Sequence, residues 1–179
     1  MTWSDSSREA RARLMQRLFP RGVPRLWCPT LTHFVAKAEF DEPRIRRHLE
    51  LLSPYVKGVL VAGGLYDGFL LSTANVFARE FDSVLRLIEE GRRGDAEMLS
   101  ARVSRVVEGC FETVGRFPTG NAFTNANKVL DHLMAYGEAG VRREPPLLYS
   151  GVRLPTVFVE SAAALLHQNN LMPVKGYLE

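Results

Sequence analysis

Residues 56–72 read V-K-G-V-L-V-A-G-G-L-Y-D-G-F-L-L-S, a short apolar run closed by a glycine-dense turn. Val59 to Ala62 are apolar without a break, bounded by glycine and rich in β-formers, so a buried strand is expected there. Gly63 and Gly64 free the backbone behind it to turn tightly or to approach a ligand closely. Folds of the α/β class place ligands at such turns, outside the carboxyl ends of their strands. Gly63, Gly64, Leu65, Tyr66 and Asp67 are therefore the candidate substrate loop. The same residues have plainer roles: Asp67 as a turn residue closing an Asx hydrogen bond, and Tyr66 as packing with a wet hydroxyl. The spacing of Gly63, Gly64 and Gly68 does not reproduce G-x-G-x-x-G, and no Gly-Lys-Ser/Thr follows, so a phosphate loop is not expected.

Around this segment the chain divides into three parts. Residues 1–20 carry Ala10, Leu14, Leu18 and Phe19 at helical spacing behind Ser6 and Ser7, and Pro20-Arg21-Gly22 ends that N-terminal helix. Residues 21–74 form a βαβ unit. Leu26–Cys28 is its first strand, Ala36–Phe40 a connection, and Asp41 with Pro43 starts a helix. That helix buries Ile45, Leu49 and Leu52 and turns Arg44, Arg46 and Arg47 outward. Two strands joined in this way lie parallel.

Residues 75–179 read as helical. One helix, capped by Asn75, runs through Phe77, Phe81, Val84, Leu85 and Ile88 to Gly91. A second carries Leu99, Val103, Val106, Cys110 and Val114. A third starts at Asn121 or Thr124, carries Val129, Leu130 and Leu133, and ends at Gly137. A last one follows Leu154-Pro155 to His167. A parallel pair needs cover on its faces and edges. Either the helices form their own bundle, or another copy of the chain completes the sheet; a homo-oligomer is expected.

The 179 residues suffice for one hydrophobic core. A net charge of +3, with basic residues beside acidic ones, points to no nucleic-acid partner. No apolar run is long enough to span a membrane, and the polar N-terminus has no signal segment, so a cytoplasmic location is expected. Cys28 and Cys110, isolated in apolar surroundings, read as core filler. His33, His48, His132 and His167 lie at no metal-ligand spacing, so no metal and no cofactor are expected. Asp131-His132 is a local pair. Lys37, Lys57, Lys128 and Lys175 are the amines available for imine chemistry, which needs an apolar pocket or a nearby positive charge. Lys57 precedes a strand, and Lys128 reads as a surface residue whose stem snorkels.

The segments Pro29–Phe34, Asp41 and V-L-V-A-G-G-L-Y-D-G, followed by S-T-A-N-V, G-R-R-G-D-A-E and G-N-A-F-T-N-A-N-K, resemble the dihydrodipicolinate synthase and N-acetylneuraminate lyase family of Schiff-base aldolases. The match covers residues 21–72 and then runs from Ser72 to about Gly140. The resemblance implies an α/β chain with a partial (β/α)8 barrel and a helical C-terminal region, an oligomer, and a pyruvate-like 2-keto acid as ligand. It also implies that Ser72-Thr73 joins the second strand's loop to the end of the eighth strand. The family's Schiff-base lysine, catalytic tyrosine and most carboxylate-binding groups belong to the intervening part. Gly64 and Leu65 stand where the family has two hydroxyl residues, and Tyr66 where it has glycine. The expected function is thus that of a lyase relative without catalysis, with no catalytic residue assigned. The alternatives are an active lyase using a relocated lysine, and a self-associating structural module.

Overall fold

The computed structural model describes residues 5–20, 26–28, 31–56, 58–59, 69–70 and 72–179. Gly63 to Asp67, the candidate substrate loop, and Lys57 lie outside the described residues.

The chain is mostly helical with a small sheet component. Helix α1 (Asp5–Leu18) is followed by strand β1 (Leu26–Cys28), strands β2 (Phe34–Ala36) and β3 (Glu39–Phe40), and helix α2 (Glu42–Leu52). Asp41 caps α2: its Oδ1 accepts from the Arg44 amide at 3.0 Å, and proline occupies the first turn, where a missing N–H costs nothing. Strands β4 (Gly58–Val59) and β5 (Phe69–Leu70) come next. They pair with β1 on opposite sides, both parallel, in the order β4-β1-β5. The parallel pairing of the first two expected strands holds. The third strand, β5, has no signal in the sequence, because Phe69–Leu70 is too short to show a period. Residues 36–40 are likewise no plain connection: β2 and β3 form an antiparallel hairpin whose turn holds Ala38 at φ 58°.

Helices α3 (Ala74–Glu89), α4 (Arg93–Val114), α5 (Ala122–Tyr136) and α6 (Thr156–Gln168) form a bundle of their own, with a 3-10 turn at Gly137–Arg142. Its core joins Phe77, Val106, Val114, Leu130, Leu133 and Leu166, all fully enclosed. A smaller core of Leu26, Cys28, Leu52, Val56, Ala74 and Ala78 seats the sheet and α2 on α3. Phe81 touches both cores. Of the two expected arrangements, the helices therefore cover themselves.

Helix α5 has apolar Ala126, Val129, Leu130 and Leu133 on one side, yet Asn125, Asn127, Lys128, Asp131 and His132 are buried too. It is packed on all sides, so its polar residues are internal and must find partners. The C-terminal tail supplies one. Tyr177 and Leu178 donate their amides to Met134 O and Ala135 O, carbonyls that α5 leaves open at its end. The tail comes this close because position 176 is glycine: a Cβ there would overlap the Ala135 carbonyl.

Candidate functional site

The site is organised on Lys128 and Asp131, three residues apart and so on one face of α5. Arg44 and His48, four residues apart on α2, meet that face; His33 enters from the loop before β2, and Tyr177 from the tail. Asp131 is fully enclosed. Arg44 Nη2 donates to its Oδ2 at 2.8 Å, and Tyr177 Oη to its Oδ1 at 2.9 Å. The expectation that Arg44 turns outward is thus corrected: the buried Asp131 charge requires a partner, and Arg44 is 13% exposed. Leu49, expected inside, is 39% exposed, and His48 takes the inner position.

The two histidines complete the network. His48 Nε2 lies 2.8 Å from the Asn75 carbonyl, which can only accept, so that nitrogen carries the proton. His48 Nδ1 is then the acceptor for His33 Nε2 at 3.3 Å. Asn75 does not cap α3, as the sequence suggested. Thr73 holds the cap position, and the buried Asn75 side chain accepts from the Leu31 amide and donates to Ser72 O. His132 likewise does not pair with Asp131: it bonds Gly140 O at 2.9 Å, since adjacent helical residues point about 100° apart.

Burial raises the Asp131 carboxyl, but His48, Arg44 and His33 together outweigh it and hold the group at about 2. Burial also lowers His33 to about 3, against the pull of Asp131, which leaves the ring neutral near pH 7. His33, His48 and Asp131 bring ligand atoms within 4.8 Å of one another. A cation there would compete with the Arg44 guanidinium already seated on the carboxylate and with protons committed to His48 and Asn75 O. The donor set therefore fits a closed hydrogen-bond network better than a metal.

Lys128 is buried, not snorkelled at the surface. It sits on the packed face of α5, with Thr32 and Leu147 closing over it. Nζ donates to Thr32 O at 2.6 Å and to Leu147 O at 3.4 Å, and lies 4.8 Å from the centre of the Phe34 ring. Among the described residues no carboxylate lies within ion-pair distance. Burial, then the charge of Arg44, lowers its amine to about 8, with Asp131 opposing. Beside it opens a cavity of about 600 Å³, lined also by Thr32, Phe34, Asn75, Asn125 and Asn127. The Oδ1 atoms of Asn125 and Asn127 are buried and accept no hydrogen bond among the described residues.

Lys37 and Lys175 are exposed. Cys28 and Cys110 are both buried and unlinked, and burial pushes each thiol up to about 12, so neither is a nucleophile at neutral pH. His167 pairs with Glu138 at the surface. Sequence reasoning missed the grouping of Arg44, His48, Asp131 and Tyr177. The one available signal was the density of Asn, Lys, Asp and His along a helix whose apolar stripe was already complete. No protein-family model, curated protein or solved structure matches the chain.

Proposed function

We propose that this protein binds a small 2-keto acid in the Lys128 cavity, as a relative of the dihydrodipicolinate synthase and N-acetylneuraminate lyase family that does not catalyse carbon–carbon bond turnover. The observation that carries this reading is the buried Lys128 ammonium, which faces a roomy cavity with backbone carbonyls and no carboxylate as partners. A buried charge without a counter-charge is costly. Arg44 and Lys128 set two cations against the one carboxylate of Asp131, and a bound carboxylate would offset the excess positive charge.

The strand order supports the kinship with a partial (β/α)8 barrel. In a closed eight-stranded barrel the first strand lies between the second and the eighth, all parallel. Here β1 lies between β4, the second strand of the βαβ unit, and β5, both parallel to it; β5 comes just before Ser72-Thr73, where the resemblance places the arrival from the eighth strand. Among the described residues nothing pairs with the outer edges of β4 and β5, which favours self-association; sedimentation velocity over a range of concentrations tests this, and a monomer throughout would refute it. No helix among the described residues is long and apolar enough to cross a membrane. The buried, unlinked cysteines fit a reducing compartment, in keeping with a cytoplasmic protein.

A second reading is favoured by the lowered amine of Lys128: imine formation, in which Nζ adds to the keto carbon and water leaves. Calorimetric titration with pyruvate tests the first reading. Saturable binding that Lys128→Met abolishes is expected, and no binding, or binding unchanged in the variant, refutes it. Borohydride reduction in the presence of pyruvate tests the second: a mass adduct on Lys128 supports the imine, and its absence leaves ion pairing as the mode of binding.

A further inference from the structure

Arg44 also lines a second cavity, of about 390 Å³, together with Phe34, Asp41, Tyr136, Arg143 and Arg153. Two guanidinium groups crowd one ring there: Arg143 lies 4.4 Å and Arg44 5.5 Å from the centre of Tyr136. The ring's negative faces attract both cations, yet do not cancel their charge. The nearby carboxylates are committed elsewhere. Asp131 holds Arg44, Asp41 caps α2, and Glu144 binds Arg153 at 2.6 Å. Among the described residues Arg143 has no carboxylate within ion-pair distance. Of the three guanidinium groups in the lining, Arg44 and Arg153 are thus paired with carboxylates, and the planar fork of Arg143 is not.

We propose that this cavity binds a small oxyanion, held by Arg143 and flanked by Arg44 and Arg153. A guanidinium fork matches two oxygens of a carboxylate or a phosphate in one plane, and its position over Tyr136 fixes the plane in advance. Phe34 and Pro146 supply an apolar wall for the carbon skeleton behind the anionic group. Phe34 is a wall common to both cavities, but Lys128 does not line this one, and the inference does not depend on the reading of the Lys128 cavity.

Calorimetric titrations at low ionic strength with inorganic phosphate and with citrate, on the wild type, Arg143→Gln and Lys128→Met, test the proposal. Arg143 is exposed, so its substitution leaves the fold intact, which circular dichroism verifies. Saturable binding of either anion is expected, unchanged in Lys128→Met and weakened about fivefold or more in Arg143→Gln. The anion that binds tells whether the natural ligand presents a phosphate or a carboxylate. Absence of saturable binding by both anions at millimolar concentration overturns the proposal. So does an affinity that Arg143→Gln leaves unchanged, or one that is lost in Lys128→Met, which would assign the binding to the other cavity.

Discussion

Replacing Asp131 by asparagine keeps the volume of the side chain and deletes the charge on which the interior network is centred. Arg44, largely buried, loses its counter-ion, and the amide presents a donor to Arg44 or to Tyr177, both of which are donors themselves. Breaking one side of a buried ion pair costs about 3–5 kcal/mol. The titration of Asp131 gives a second measure. Its carboxyl is held at about 2 instead of 3.8, and a shift of about two units corresponds to roughly 2 kcal/mol of net preference for the charged form, after the cost of burial. The loss expected for Asp131→Asn is therefore about 2–5 kcal/mol. In urea at pH 7, with a slope of about 1–3 kcal/mol per molar, the midpoint should fall by about 1 M or more. The carboxylate's contribution is complete above the unfolded-state value of 3.8 and lost as pH falls through about 2. The variant should therefore lack that part of the acid transition. A companion Arg44→Met, Asp131→Leu double variant removes both charges and should lose less than Asp131→Asn, because no charge is left stranded. A loss below about 1 kcal/mol in Asp131→Asn, or a double variant no more stable than the single one, would refute the account of Asp131 as the electrostatic centre.

His33 stays neutral in the folded chain down to about 3, whereas the unfolded chain takes up its proton near 6.5. Stability from this group is thus complete above pH 6.5 and lost as pH falls toward 3. Between pH 6.5 and 5 the wild type should lose about 2 kcal/mol, and His33→Gln should show a flatter profile in urea titrations over that window; parallel profiles would count against it. Gly176→Ala should lift the tail from Ala135 and withdraw Tyr177 from Asp131, at about 1.5–3 kcal/mol for the hydrogen bond to the carboxylate. Limited proteolysis should then cut the C-terminal tail faster than in the wild type, and equal rates would show that the tail accommodates the methyl group.

Much of the scaffold is legible in the sequence because its signals are local. Asp41 with Pro43, Asn121 with Thr124, and Gly137 mark helix ends through hydrogen bonds reaching only a few residues. The stripe Val103, Val106, Cys110 and Val114 marks the buried side of α4 through periodicity alone. The stripe on α2 misleads at Leu49 because an apolar period cannot register that a neighbouring helix offers a carboxylate to His48 and Arg44. The three-strand order was only half legible: Phe69–Leu70 becomes a strand by pairing with residues more than forty positions earlier.

By itself, then, the sequence determined the helix ends at Asp41, Asn121 and Gly137, the buried face of α4, and that Leu26–Cys28 and the segment after Lys57 pair as parallel strands. Only the tertiary structure decided what Lys128, Arg44 and Asp131 are. As letters they are two basic residues and an acidic one on helices, and each is at home in solvent. Packing α5 on every side removed that solvent. A charge taken from water must find a partner or shift its protonation, and the partners came from α2, from the loop before β2 and from the tail, 87 residues away from Asp131 in the case of Arg44. The sequence alone points to the glycine-rich segment 63–68 as the place for a ligand; the polar groups that converge within the described residues do so on α5 instead.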